Sequence, residues 1–399
     1  MLTVAQKAII TATVPLLETG GEALTTHFYR ILLGEHPEVR PLFNQASQAN
    51  GEQPRALANG VLMYARHIDR LEALGDLAAQ IVNKHVALQV LPEHYPIVGA
   101  CLLRAIREVL GAEVATDAVI DAWAAAYDQL ANLLIGAEAA AYDRNASAPG
   151  GWRGARPFRV ARKEVESDEI TSFYLEPADE QPVLDFEPGQ YISLCLQVNG
   201  QEVRRNYSLS AAPNGRSYRI SVKRDPGGVV SNHLHDEVHE GSTLDVFPPS
   251  GAFTLAHSER PLVLISGGVG ITPTLAMLES ALRTARPIRF VHCARSHKVH
   301  AFRASIDALA KKHPQLERFY CYEEAPQPRS DAQPHAVGRL DAQTLSQWMP
   351  AATQDVRDVD AYFLGPKPFM RQIKRSLSEL GVPEHRMRYE FFGPASALD

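Results

Sequence analysis

The run Lys84-His85-Val86-Ala87-Leu88, followed by Pro92-Glu93-His94-Tyr95-Pro96, sets an imidazole in an apolar context. Ile81, Val82, Val86 and Leu88 recur at helical spacing, so His85 rides on or beside a buried helix face. Two chemistries are open to such a residue: a core histidine hydrogen-bonded to a carbonyl, or a metal ligand. A second group, Arg205-Asn206-Tyr207-Ser208, combines a cation, a flat ring and a hydroxyl on one extended stretch, with Arg205 and Tyr207 on the same face. Charge, ring and hydrogen bond together suit a ring-shaped ligand that carries phosphate. A third group is the turn Ser266-Gly267-Gly268-Val269-Gly270-Ile271-Thr272-Pro273. Its glycines let the backbone approach a pyrophosphate at the start of a helix, where free N–H groups favour negative charge. Pro273 stands where the third glycine of GxGxxG would be, so the motif alone also fits a turn with no ligand.

These groups need elements to hold them. The length of 399 residues predicts two or three domains. Residues 1–140 read as wholly helical, rich in Ala, Leu and Glu, with Gly20-Gly21, Pro37, Pro41, Pro92 and Pro96 as punctuation. A Gly/Pro/Ser-dense linker at 141–155 ends that texture. Over 156–256, runs such as YISLCLQV and SYRISVKR alternate, with Tyr218, Ile220 and Val222 on one face, and EPGQ, VNGQ, PNGR and DPGG supply turns. That spacing predicts a small antiparallel β-barrel. From 257 to 399 the order strand, Gly-rich turn, helix repeats, predicting an α/β domain with a parallel sheet.

Composition narrows the partners. With 45% hydrophobic and 22% charged residues, a net charge of -6 and no basic block, nucleic acid is not expected and small molecules are. Cys101, Cys195, Cys293 and Cys321 lie far apart with no CxxC pair, which argues against a disulfide framework, a zinc site or an iron-sulfur site and fits a reducing cytoplasm. The N-terminal stretch lacks a basic leader and a cleavage site, and reads as an amphipathic helix. The apolar run PLVLISGGVGITPTLAML is interrupted by glycines and Pro273, unlike a membrane span, so no insertion is expected.

Further motifs follow in a fixed order. Pro188-Gly189-Gln190-Tyr191 offers a second ring, and Gly228-Val229-Val230-Ser231-Asn232 a second phosphate-accepting turn. The strand after the Gly-rich turn ends without a clear acidic residue for a ribose hydroxyl and near Arg295, a partner for a 2′-phosphate, which favours NADPH. RxYS, GxVSN, GGVGITP, LGPxxFM and a C-terminal YExFGP (Tyr389 to Pro394) together resemble the ferredoxin-NADP-reductase-like flavoprotein module. The resemblance covers residues 156–396 and implies FAD on the barrel and NAD(P)H on the sheet, with Tyr191, Arg205, Asn206, Tyr207, Ser208, Val230, Ser231, Phe392 and Gly393 at the flavin, and Gly267, Gly268, Val269, Gly270, Ile271, Thr272 and Arg295 at the nucleotide.

A flavin can release electrons singly, so a one-electron acceptor such as haem is a natural neighbour. Phe28 and Tyr29 on an early helix, Phe43 after two prolines, and Gln53 and Leu57 four residues apart resemble the pocket of a bacterial haemoglobin. With the reductase behind it, the chain from residue 1 to about 396 resembles the flavohaemoglobins. That resemblance implies haem b with His85 as its iron ligand, Tyr29 as the distal hydroxyl facing dioxygen, and Gln53 and Leu57 as distal lining. It also implies Phe28 and Phe43 as pocket rings, and Tyr95 and Glu138 as the pair bonded to the histidine. Lys84 and Glu390 match positions where haem and flavin face each other and would bias the two redox potentials. The implied activity is nitric oxide dioxygenation, with nitric oxide, dioxygen and NAD(P)H as partners, in a cytoplasmic monomer whose haem pocket allows a lipid. A haem-based gas sensor and an NAD(P)H:quinone or peroxide reductase are the alternatives. The family generally has cysteine where this chain has Leu364, and often where it has Phe391, so altered reductase rates are expected.

Overall fold

The computed structural model describes residues 2–43, 51–326, 333–353, 356–393 and 398. Helix α1 (Val4–Glu35) opens on a capping box: the Gln6 N–H donates to Thr3 Oγ1 and the Thr3 N–H to Gln6 Oε1. Ile10, Leu17, Leu24, Phe28, Ile31 and Leu32 form its buried stripe. The helix runs on through Gly20-Gly21, where punctuation was expected. The reason is packing: α2 (Glu52–Arg66) crosses there, with Ala58 Cβ 3.5 Å from where a Cβ on Gly21 would lie.

Helices α3 (Gly75–Leu88), α4 (His94–Leu110) and α5 (Asp117–Ser147) complete this all-α domain. Gln89, at φ 58°, ends α3 in left-handed backbone. Helix α5 continues through 141–147, residues expected to begin the linker. Tyr142 is buried and its hydroxyl donates to Val90 O at 2.8 Å, which binds those residues to the helical layer. The connection that remains is tightly packed. A Cβ on Gly150 would strike Val183 O, while Trp152 Nε1 donates to Val246 O at 3.2 Å and its ring lies against Phe158 and Tyr218.

Strands β1 (Arg156–Val165), β2 (Ile170–Pro177), β3 (Tyr191–Val198), β4 (Gln201–Ser208), β5 (Tyr218–Lys223) and β6 (Thr243–Val246) form an antiparallel sheet in the order β4-β3-β6-β1-β2-β5. It curls until Leu209, just beyond β4, bridges Ile220 of β5. The alternation expected for β5 holds: Tyr218, Ile220 and Val222 are buried together with Phe158, Ile192 and Leu194. Helix α6 (Val229–Asp236) follows β5.

The last domain carries β7 (Leu262–Gly267), β8 (Ile288–Ala294), β9 (Leu316–Tyr322), β10 (Ala336–Val337), β11 (Asp360–Leu364) and β12 (Met387–Tyr389). All pairs in the order β10-β9-β8-β7-β11-β12 are parallel. Helices α7 (Ile271–Ala281), α8 (Arg303–Lys312), α9 (Ala342–Trp348) and α10 (Lys367–Glu379) connect them, and β7 is buried at every position, as a strand covered on both faces must be. Among the described residues no helix is long and apolar enough to cross a membrane. Pro394 of the C-terminal motif lies outside the described residues.

Candidate functional site

His85 sits in the last turn of α3. Its Nδ1 lies 2.7 Å from Glu138 Oε1 and 3.2 Å from the Tyr95 hydroxyl, and Tyr95 donates to the same Oε1 at 2.6 Å. A carboxylate has no proton to give, so Nδ1 is the donor, which leaves Nε2 as the nitrogen that would face a metal. Among the described residues Nε2 has no hydrogen-bond partner. Burial and the neighbouring carboxylate push the Tyr95 hydroxyl far above its ordinary range, which keeps it a donor. Three helices supply this triad, and two of them are locked together. Gly99 lets α5 lie close to α4, where a Cβ would meet the Tyr127 ring at 2.6 Å, and the Tyr127 hydroxyl donates to Tyr95 O at 2.6 Å.

The expected distal residues gather around Tyr29. It is buried, with Phe28 at 4.9 Å and Phe43 at 5.6 Å between ring centroids, both edge-on. Burial raises its pKa, with the Gln53 side chain acting weakly the other way, so the hydroxyl stays protonated. Gln53 Oε1 is itself buried with no hydrogen-bond partner. Leu57 packs half-buried on the same core. A free imidazole nitrogen, an orphaned polar oxygen and a phenol within aromatic walls fit a haem pocket that takes a small polar ligand.

On the barrel, Arg205 and Tyr207 lie opposite Leu194 and Ile192 in register. Arg205 donates to Arg204 O at 2.7 Å and has no carboxylate partner among the described residues. Burial lowers its pKa, and a phosphate would relieve that cost. Asn206 takes a short hydrogen bond from Ser193, and Ser208 pairs with Tyr191, whose buried ring lies against Gly251. Val230 and Ser231 open α6, with the Asp225 N–H donating to Ser231 Oγ at 3.1 Å.

The nucleotide turn has the expected build. β7 ends at Gly267, Gly268 to Gly270 form a 3-10 turn, and α7 begins at Ile271 with no side-chain cap. Gly268 has φ 55°, and a Cβ on Gly270 would lie 2.5 Å from Leu364 O. Thr272 Oγ1 donates to Val269 O at 3.0 Å. Leu364 is fully buried beneath the turn, in register with Ser266. Arg295 follows β8 but forms an ion pair with Glu169 of the barrel, so a 2′-phosphate would have to compete for it.

The C-terminal strand brings the halves together. Lys84 Nζ donates to Gly393 O at 3.2 Å, and Phe392 is 54% exposed at that junction. Burial lifts Glu390 to about 7 and lowers Lys84, while each partly offsets the other's shift. Tyr191 feels the same carboxylate. Several anchors were not foreseen. Thr25 Oγ1 donates to Pro54 O at 2.8 Å, which holds the first turn of α2 and so Gln53. Ser250 Oγ and Arg204 donate to Asn83 O and Leu88 O at 2.8 and 2.5 Å, bolting the His85 helix to the barrel. Nothing local in the sequence marks these partners.

An imidazole-centred pocket in an all-α domain, coupled to a flavin-type barrel and a nucleotide sheet, defines a haem- and flavin-dependent oxidoreductase. Residues 26–134 match the globin family, 157–255 the oxidoreductase FAD-binding domain and 264–375 the oxidoreductase NAD-binding domain. The chain is 66% identical to the flavohemoprotein of Pseudomonas aeruginosa over 399 residues and 68% identical to that of a Burkholderia species over 400, covering 100% of both chains in each case. Its fold is similar to the flavohemoglobin of Malassezia yamatoensis, solved with FAD and heme, at TM-score 0.85 and 26% identity over 98% of this chain and 100% of that one. It is also similar to the FAD/NAD-binding domain of nitric oxide dioxygenase from Vibrio cholerae, at TM-score 0.54 and 36% identity over 61% of this chain and 100% of that one. The chain belongs to the flavohemoprotein family, oxidoreductases that use haem, FAD and a nicotinamide nucleotide.

Proposed function

We propose that this flavohemoprotein is a nitric oxide dioxygenase, forming nitrate from nitric oxide and dioxygen with electrons from NAD(P)H. The observation that carries this reading is the buried Glu138 carboxylate 2.7 Å from His85 Nδ1. It makes the imidazole a more basic ligand, which favours oxygen activation over storage. The Vibrio cholerae relative, named a nitric oxide dioxygenase, supports the same assignment. Held by the barrel residues, FAD would supply hydride acceptance and single-electron release, and haem held by His85 would supply a one-electron acceptor that binds dioxygen.

The side chains then divide the work. Gly267 to Thr272 offer N–H groups to the nucleotide pyrophosphate, and Arg205 and Ser208 offer charge and hydroxyl to the flavin phosphates. Tyr191 and Tyr207 present rings to the flavin. Tyr29 donates a hydrogen bond where negative charge develops, in a pocket dry enough for it to count. Arg295, just beyond β8, would favour NADPH where a 2′-phosphate displaces its Glu169 partner. Four free cysteines fit a reducing, cytoplasmic compartment, and the protein is taken as a monomer.

Lys84 and Glu390 set the field at the junction. A positive charge beside His85 and a negative one beside Tyr191 both favour electron flow towards the histidine side. Glu390, with its pKa at about 7, is neutral below that pH and charged above it. The flavin-to-haem electron-transfer rate is therefore expected to rise through a midpoint near pH 7, and in Glu390→Gln to be slower and flat; stopped-flow reduction across pH checks this, and an unchanged profile in the variant would remove the role.

The activity is tested on purified holoprotein reduced anaerobically with NADPH, then mixed with air and nitric oxide. Nitrate formed in step with nitric oxide consumed is the expected result. NADPH oxidation by quinones at an undiminished rate without nitric oxide, and no nitrate with it, would point to a reductase instead.

A further inference from the structure

Three residues share one row across the nucleotide sheet: Gly267 at the end of β7 pairs in register with Cys293 of β8, which pairs with Cys321 of β9. Directly paired residues of parallel strands project to one face. Cys293 and Cys321 are thus direct neighbours across the sheet, and the Cys321 thiol donates to Gly338 O at 3.2 Å. Cys321 is buried and Cys293 half-buried, and both are free. Neighbouring strands stand about 4.8 Å apart, whereas a disulfide wants its Cβ atoms at roughly 3.5–4.5 Å. The backbone therefore resists a direct S–S bond but leaves room for one atom between the sulfurs. Among the described residues no group of three or more His, Cys, Asp or Glu could hold a metal ion, so the pair suits a centre content with two thiolates.

We propose that Cys293 and Cys321 form a dithiol site for a thiophilic centre that takes two thiolates, the class that includes monosubstituted trivalent arsenicals, and that its occupancy impairs use of the nucleotide. Binding is a condensation without change of oxidation state: two As–S bonds form, the two thiol protons go to the arsenoxide oxygen, and water leaves. The effect on activity rests on reading Gly267 to Thr272 as the nucleotide turn; the adduct itself does not. Gly267 has no slack to absorb a bridging atom in the adjacent strand, since the Phe369 ring is already 3.0 Å from where a Cβ would sit.

The test treats the holoprotein with phenylarsine oxide. One adduct per chain by intact mass, loss of two of the four thiols in denatured protein, and a raised KM for NADPH reversed by dithiothreitol are expected. Reduction by dithionite should be unaffected. Cys293→Ser and Cys321→Ser should each lose the adduct, with Cys293→Ala as a second check at the half-buried position. Four titratable thiols after treatment, or an adduct that survives in both serine variants, would overturn the site. An adduct with unchanged nucleotide kinetics would keep the dithiol and overturn its link to the turn.

Discussion

His85→Ala is expected to yield a protein that retains flavin and oxidises NADPH with an artificial acceptor but holds no haem, so that nitric oxide consumption falls to the uncatalysed background. Among the described residues no group of three or more His, Cys, Asp or Glu could hold a metal ion in its place. The substitution also strands Glu138, 2% exposed, whose Oε1 keeps only the Tyr95 hydroxyl. Leaving a buried acceptor short of one of its hydrogen-bond donors costs about 1–3 kcal/mol, so the helical domain should melt earlier. Imidazole added to the medium can occupy the vacated volume and meet the same carboxylate, and should restore the haem band. A Soret band unchanged in the variant would mean that the iron has another ligand, and the answer for His85 would revert to a core histidine.

Tyr29→Phe should speed dioxygen dissociation by about 10²-fold, the size of effect seen when one preorganised donor is removed from a dry site. The ring contacts with Phe28 and Phe43 survive the change, so stability should barely move. Because burial holds the hydroxyl well above its ordinary pKa, the wild-type donor persists at every pH at which the protein is folded, and the difference between the two proteins should not depend on pH. Stopped-flow displacement of dioxygen by carbon monoxide measures it directly. Equal dissociation rates would take Tyr29 out of the distal role and leave Gln53, with its unpartnered Oε1, as the polar group of that side.

What could be read in the sequence was whatever depends on near neighbours. The alternation of Tyr218, Ile220 and Val222 is local, and so is the glycine demand of Gly268 to Gly270; both are met in the fold. His85 was readable as a residue type in an apolar run, but its chemistry is decided by Glu138, 53 positions away, and that pairing came from likeness to a family rather than from spacing. Gly20-Gly21 misled because a glycine inside a helix costs only about 1 kcal/mol relative to alanine, less than the close crossing of α2 returns. Helix α5 runs past the expected linker start because of a distant contact too: Tyr142 bonds Val90 and keeps the residues up to Ser147 helical. By its position Arg295 suits a 2′-phosphate, whereas the fold first offers it Glu169 from a different domain.

The short connection fastened by Gly150 and Trp152 bears on how the enzyme responds to dilution. Donor and acceptor centres in separate proteins must meet by diffusion, and their traffic falls as both become scarce. Here the barrel and the His85 helix are held at a standing separation by Trp152, Ser250 and Arg204, so each chain carries its own reductant as a fixed local concentration. Electron delivery is then first order in enzyme. A cell holding only a few copies of this protein would lose capacity in proportion to their number, with no loss in the speed of each.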